Sequence, residues 1–143
     1  MLMAPPVQAP PAAHSALQAD LGMTVAELRG RFGRRLQWDR ASRIYWIERY
    51  VDDGQTWDAE LKFSPRSHRL VKLNLSIEGE AACRKANDRL RQRYGKPIDQ
   101  DLVSQHSYAL WRDPKTRLFV DYTGLDDGPY HTCWKSYSVT RQE

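Results

Sequence analysis

Long apolar runs are missing from this chain. No stretch of about 18 uncharged, apolar residues occurs anywhere, so no membrane-spanning helix is expected. Cysteine is scarce, with two in 143 residues, which is too few ligands for a zinc site without a neighbouring histidine pair. The four histidines, 14, 68, 106 and 131, are isolated from one another. No HExxH, nucleophile elbow, glycine-rich phosphate loop or EF-hand loop is present, so no catalytic residue, cofactor or metal is assigned. The basic excess is small: 22 Lys and Arg against 18 Asp and Glu, a net charge of +4. That permits an anionic partner without the density of a nucleic-acid-binding arm.

What is present describes a small packed protein. Hydrophobic residues make up 41%, and five Trp and seven Tyr supply the bulk for one modest core. Residues 1–20 stand apart, with four Pro and six Ala and no Lys or Arg. This segment reads either as the tail of a signal peptide or as a disordered Pro/Ala tail. Beyond it, Thr24-Val25-Ala26-Glu27 is a capping box that predicts a helix over 24–32, with Gly33 as its left-handed terminator. A second helix is predicted over 80–94, where Cys83, Ala86, Leu90 and Tyr94 form one apolar stripe. Gly95 and Pro97 end it.

The two helices align at an offset of 62: Leu28-Arg29-Gly30-Arg31-Phe32-Gly33 on Leu90-Arg91-Gln92-Arg93-Tyr94-Gly95. The same offset pairs Trp46 with Tyr108, Val71 with Cys133 and Leu75 with Tyr137. A register kept this far along the chain predicts a duplication, with repeat one at 21–79 and repeat two at 80–143. Strand-like runs follow each helix, at 41–51, 56–63 and 69–77, then at 102–112, 116–123 and 131–140. Trp57, Ala59, Leu61 and Phe63 alternate with polar residues, as do Val71, Leu73, Leu75 and Ile77, the pattern of antiparallel strands buried on one face. The fold class expected is α+β: two tandem α-β-β-β repeats, helices packed on one face of antiparallel sheet.

Cys83 on the helix stripe and Cys133 on an inward strand position are expected to meet and form a disulfide. Closing a loop of about 50 residues restricts the unfolded chain by roughly 4 kcal/mol in the entropy picture. A bridge points to an oxidising compartment.

If Cys133, Leu118 and Val120 point inward, Trp134 and Phe119 point outward by the two-residue strand period. Together with Arg117, and with Trp111 on a strand whose orientation is open, they make a candidate protein-binding face. Paired carboxylates at Asp52-Asp53 and Asp126-Asp127 sit beside glycine and read as turn residues. A second candidate is the basic face of the second helix, Arg84, Lys85, Arg89 and Arg91, which would suit a polyanion.

Gly22-Met23-Thr24-Val25-Ala26-Glu27-Leu28 with Phe32-Gly33 resembles the opening of the BamE/SmpA (outer-membrane lipoprotein A) family. Trp46-Ile47-Glu48-Arg49-Tyr50 and the run from Leu61 to Leu70 also resemble that family's strands, so the likeness covers about 22–77. The family's lipobox cysteine has no counterpart near the N-terminus. The tandem arrangement is similar to β-lactamase-inhibitor-like proteins, in which two related helix-plus-sheet repeats build a concave binding sheet. These resemblances imply a secreted or periplasmic binding protein without catalysis, of inhibitor, immunity or envelope-assembly type. Its partner would be another protein, with nucleic acid disfavoured. The alternative is a cytosolic basic module that binds nucleic acid or another polyanion.

Overall fold

The computed structural model describes residues 20–103, 106–125 and 131–139. The expected leader therefore lies outside the described residues apart from Asp20, as does the Asp126–Pro129 turn. Eight antiparallel strands form one continuous sheet in the order β1-β2-β3-β4-β8-β7-β6-β5. They are β1 (Leu36–Asp39), β2 (Ile44–Asp52), β3 (Gln55–Phe63), β4 (Leu70–Glu78), β5 (Asp99–Val103), β6 (His106–Arg112), β7 (Phe119–Leu125) and β8 (Thr132–Ser138). Helix α1 (Val25–Phe32) precedes β1 and helix α2 (Glu80–Tyr94) precedes β5.

Local chemistry sets the element ends. The Glu27 amide donates to Thr24 Oγ1 at 3.2 Å, and the Thr24 amide donates to Glu27 Oε1 at 2.9 Å. This reciprocal pair closes the N-terminus of α1. At the other end Gly33 takes a positive φ of 61°, and its amide donates to the Arg29 carbonyl. Asp53 and Gly54 both have positive φ, 52° and 77°, which makes the two-residue β2–β3 hairpin turn that matches the strand twist.

The sheet has four strands on each side of its centre, where the sequence pattern predicts three. The extra strands are β1 and β5. In β1 only Leu36 is buried, so there is no apolar alternation for a periodicity argument to detect. The chain turns back after Asp39, whose carboxylate accepts from Ser42 Oγ at 2.6 Å and from the Ala41 amide at 3.3 Å.

One buried cluster gathers Leu28 of α1 and Cys83, Ala86 and Leu90 of α2. It also includes Ile47, Trp57, Leu61, Leu73, Leu75, Ala109, Trp111, Val120, Cys133 and Tyr137 from the sheet. Three side-chain bonds fasten α2 to the strands. Trp111 Nε1 donates to the Gly95 carbonyl at 2.8 Å, Tyr122 Oη to Cys83 O at 3.3 Å, and Gln55 Nε2 to Ala82 O at 3.0 Å.

Strands β4 and β8 join the two sides of the sheet through seven residue pairs, from Lys72 with Ser138 to Glu78 with Thr132. Cys83 and Cys133 form the expected disulfide, with Cα atoms 5.8 Å apart. It ties α2 to β8 beside that seam. Cys83→Ala with Cys133→Ala should lower unfolding free energy by about 2–5 kcal/mol in urea titrations. Intact-mass analysis of the folded parent should find no free thiol before reduction and two after it.

Candidate functional site

The strand pairing fixes which side chains share the face opposite the buried cluster. A row crosses all eight strands: Gln37, Trp46, Glu60, Asn74, Ser136, Asp121, Leu110 and Asp99. On one side of it runs Lys62, Lys72, Ser138, Phe119 and Arg112. On the other side runs Asp58, Ser76, Trp134, Thr123, Tyr108 and Asp101. This face therefore carries four partly exposed aromatics: Trp46, Trp134, Tyr108 and Phe119. Its charge is divided, with cations in the first flanking row and carboxylates in the middle row and the second.

Trp134 and Phe119 are placed on this outer face, as the strand period requires. The Arg112 guanidinium lies over the Phe119 ring, 5.1 Å from its centre. Trp134 lines a depression of about 400 Å³ together with Arg49, Asp58, Glu78 and Thr132. Arg49 sits in a bulge of β2 at a positive φ of 59°. The Arg35 guanidinium donates to the bulge carbonyls of Glu48 and Arg49, at 3.2 and 2.5 Å.

Two expected members of the face are elsewhere. Trp111 is 1% exposed and points into the core, where Val120 lies opposite it and the Gly95 carbonyl takes its indole proton. Arg117 is exposed but precedes β7, in a turn where its amide donates to Asp113 O at 2.7 Å and its φ is 66°. The strand is shorter than its apolar pattern because the Asp113 carboxylate accepts from the Lys115 amide and the Thr116 hydroxyl, holding those residues in the turn.

The basic face of α2 is largely engaged. Arg84 pairs with Glu80 at 2.6 Å, and Arg89 and Arg93 both reach Asp53, at 3.2 and 3.3 Å. Arg91 donates to Asn87 and covers the Trp111 ring. Only Lys85 of the expected basic patch has no such partner among the described residues. A polyanion at this face would compete with these contacts for the arginines.

His106 and His131 do not face each other: His106 lies opposite Leu125, and His131 precedes β8. No group of three or more metal-ligating side chains occurs among the described residues.

A polar cluster beneath the sheet was not foreseen. Lys135 is 1% exposed, with Nζ 2.7 Å from Asp52 Oδ2. Tyr137 Oη donates to the same oxygen at 2.7 Å. The ammonium also lies 4.6 Å from the Trp57 ring centre and 5.5 Å from that of Tyr137. Burial, and then the Asp52 charge, push the Tyr137 phenol well above the ordinary tyrosine range, so it remains a donor. The signal was legible: Lys135 stands between Cys133 and Tyr137 on an inward stripe, and an inward lysine demands a carboxylate. Asp52, read as a turn residue, is that carboxylate. A second buried pair holds Asp20, whose carboxylate accepts from Tyr50 Oη at 2.6 Å and meets Arg31 at 2.9 Å.

On the outer face Asp121 accepts from Ser136 Oγ at 2.8 Å. Burial raises its carboxyl above the ordinary aspartate value, while the Ser136 bond and the Lys72 charge act the other way. The protonated form is thus favoured in the folded state. Its contribution to stability is full below the unfolded carboxylate range and is lost as pH rises through the folded value. Asp121→Asn does not titrate, so its stability relative to the parent should increase from about pH 3 to pH 7 in urea titrations. A pH-independent difference would contradict this. Lys135→Met should cost about 3–5 kcal/mol, because it leaves Asp52 buried without its cation. Lys135→Met with Asp52→Asn should regain most of that loss, since no unpaired charge remains.

No protein-family model, curated protein or solved structure matches this chain.

Proposed function

We propose that this chain is a secreted or periplasmic, non-catalytic binding protein that engages another protein through the outer face of its sheet. The observation that carries the reading is the placement of Trp46, Trp134, Tyr108 and Phe119 on that face, partly exposed, among charges sorted by sign. Large aromatics half out of water, rimmed by Arg, Lys and carboxylates, have the composition of a protein-binding hot spot. The Cys83–Cys133 bridge favours an oxidising compartment. The resemblance of about 22–77 to the BamE/SmpA family points to the cell envelope.

The architecture fits a tandem duplication with both helices on one side of the sheet. Every strand of β1–β4 has a counterpart in β5–β8 in the same order, and each set is preceded by a helix ending in a positive-φ glycine, Gly33 or Gly95. Asn74 and Ser136, equivalent at the offset of 62, are also direct partners across the β4–β8 seam. A local two-fold axis through that pair would relate the halves and unite their outer faces into one binding surface.

Capture from native envelope extract, followed by titration of the captured protein, tests the function. Trp134→Ala should weaken binding by roughly 2 kcal/mol or more while leaving the melting temperature close to that of the parent. Leu90→Ala, a core truncation, should instead lower stability by about 2–5 kcal/mol. Unchanged affinity in Trp134→Ala would remove the outer face from the function.

A further inference from the structure

The cationic row of the outer face ends in a hollow of about 530 Å³, where β2 begins, β3 ends and β4 begins. Its lining includes Trp38, Arg43, Ile44, Lys62 and Lys72, and Glu60 is its one carboxylate. Three cations against one anion leave a positive surplus. Lys62 and Lys72 are direct partners across the β3–β4 pair, and like charges so placed repel. Among the described residues, neither Arg43 nor Lys62 has an ion-pair partner. The turn that carries Arg43 is pinned by its amide bond to Asp39 O at 2.7 Å, with a positive φ of 60°. Apolar surface lies beside the charge in the half-buried side chain of Ile44, which lines the same hollow.

We infer that this hollow holds an acidic segment of the protein partner, with a carboxylate between Lys62, Lys72 and Arg43 and a neighbouring apolar side chain against Ile44. The inference rests on the outer face being the binding surface, and adds the chemistry of what it binds. An anion between Lys62 and Lys72 relieves a repulsion that the free protein carries. A nucleic acid fits less well, because Glu60 within the hollow and Asp99 along the middle row would repel its phosphates. A peptide presents carboxylates singly, next to apolar groups, which is the arrangement the lining complements.

The test is a titration of the isotopically labelled full chain with a synthetic peptide of alternating Glu and Leu, followed by amide chemical shifts. A Lys-for-Glu version, inorganic phosphate and a short single-stranded oligonucleotide serve as comparisons. The acidic peptide should move the amides of Ile44, Lys62 and Lys72, and the basic one should not. Lys62→Glu with Lys72→Glu should weaken the acidic peptide by about tenfold or more. Lys62→Gln with Lys72→Gln removes the mutual repulsion without adding charge. It should melt no lower than the parent and also bind more weakly, which separates a binding loss from a folding loss. Shifts centred on Trp134 would overturn the inference while leaving the outer-face reading intact. No shift on the outer face, equal response to both peptides, or tighter binding of phosphate or the oligonucleotide would each overturn it.

Discussion

The sheet turns on a lysine that has no access to water. Lys135 lies on β8, beneath the centre of the sheet, and its ammonium is compensated by Asp52 from the far end of β2. Taking both ions out of water is expensive, and the geometry offsets it with a 2.7 Å contact, the Tyr137 hydroxyl on the same oxygen and the Trp57 ring over the cation. These groups come from β2, β3 and β8, so the pairing fixes one side of the sheet against the other. A shift of β8 by one residue would turn Lys135 to the outer face and put Trp134 or Ser136 over Asp52. The buried pair therefore adds to the apolar pattern in disfavouring a one-residue slip of β8.

The outer face depends on that register. Its rows are read straight across eight strands only because β4 and β8 meet with Asn74 opposite Ser136. The same alignment separates the cations of Lys62, Lys72 and Arg112 from the carboxylates of Asp58 and Asp101, and places Trp134 beside Asp58 and Glu78. Charge order on the outer face and charge pairing in the core follow from one strand alignment. The disulfide acts on the same seam, holding α2 to β8 two residues before Lys135.

The arginines illustrate how composition misleads. Counted along the chain they form two basic clusters, Arg29, Arg31, Arg34 and Arg35 in and after α1 and Arg84, Arg89, Arg91 and Arg93 on α2. In space Arg89 and Arg93 converge on Asp53, Arg84 on Glu80, Arg31 on Asp20, and Arg35 on the carbonyls of the β2 bulge. Arg43, Lys62 and Lys72, scattered in sequence, are instead gathered by the fold at one hollow.

Local chemistry alone determined the helices, their caps and most strands, because a capping box, a positive-φ glycine and a two-residue alternation act over a few neighbouring residues. It also placed Cys83 against Cys133 and turned Trp134 and Phe119 outward, since each follows from one stripe and one period. Strands β1 and β5 escaped it: β1, a short edge strand with a single buried residue, has no periodic signature, and only its pairing with β2 makes it a strand. The inward orientation of Trp111 and the displacement of Arg117 into a turn were decided by packing against Gly95 and by the Asp113 side chain. The union of Lys135 with Asp52, 83 residues apart in the chain, belongs wholly to the tertiary structure. Nothing local to either residue names the other, and only closure of the sheet brings an inward lysine to the one buried carboxylate at the end of β2.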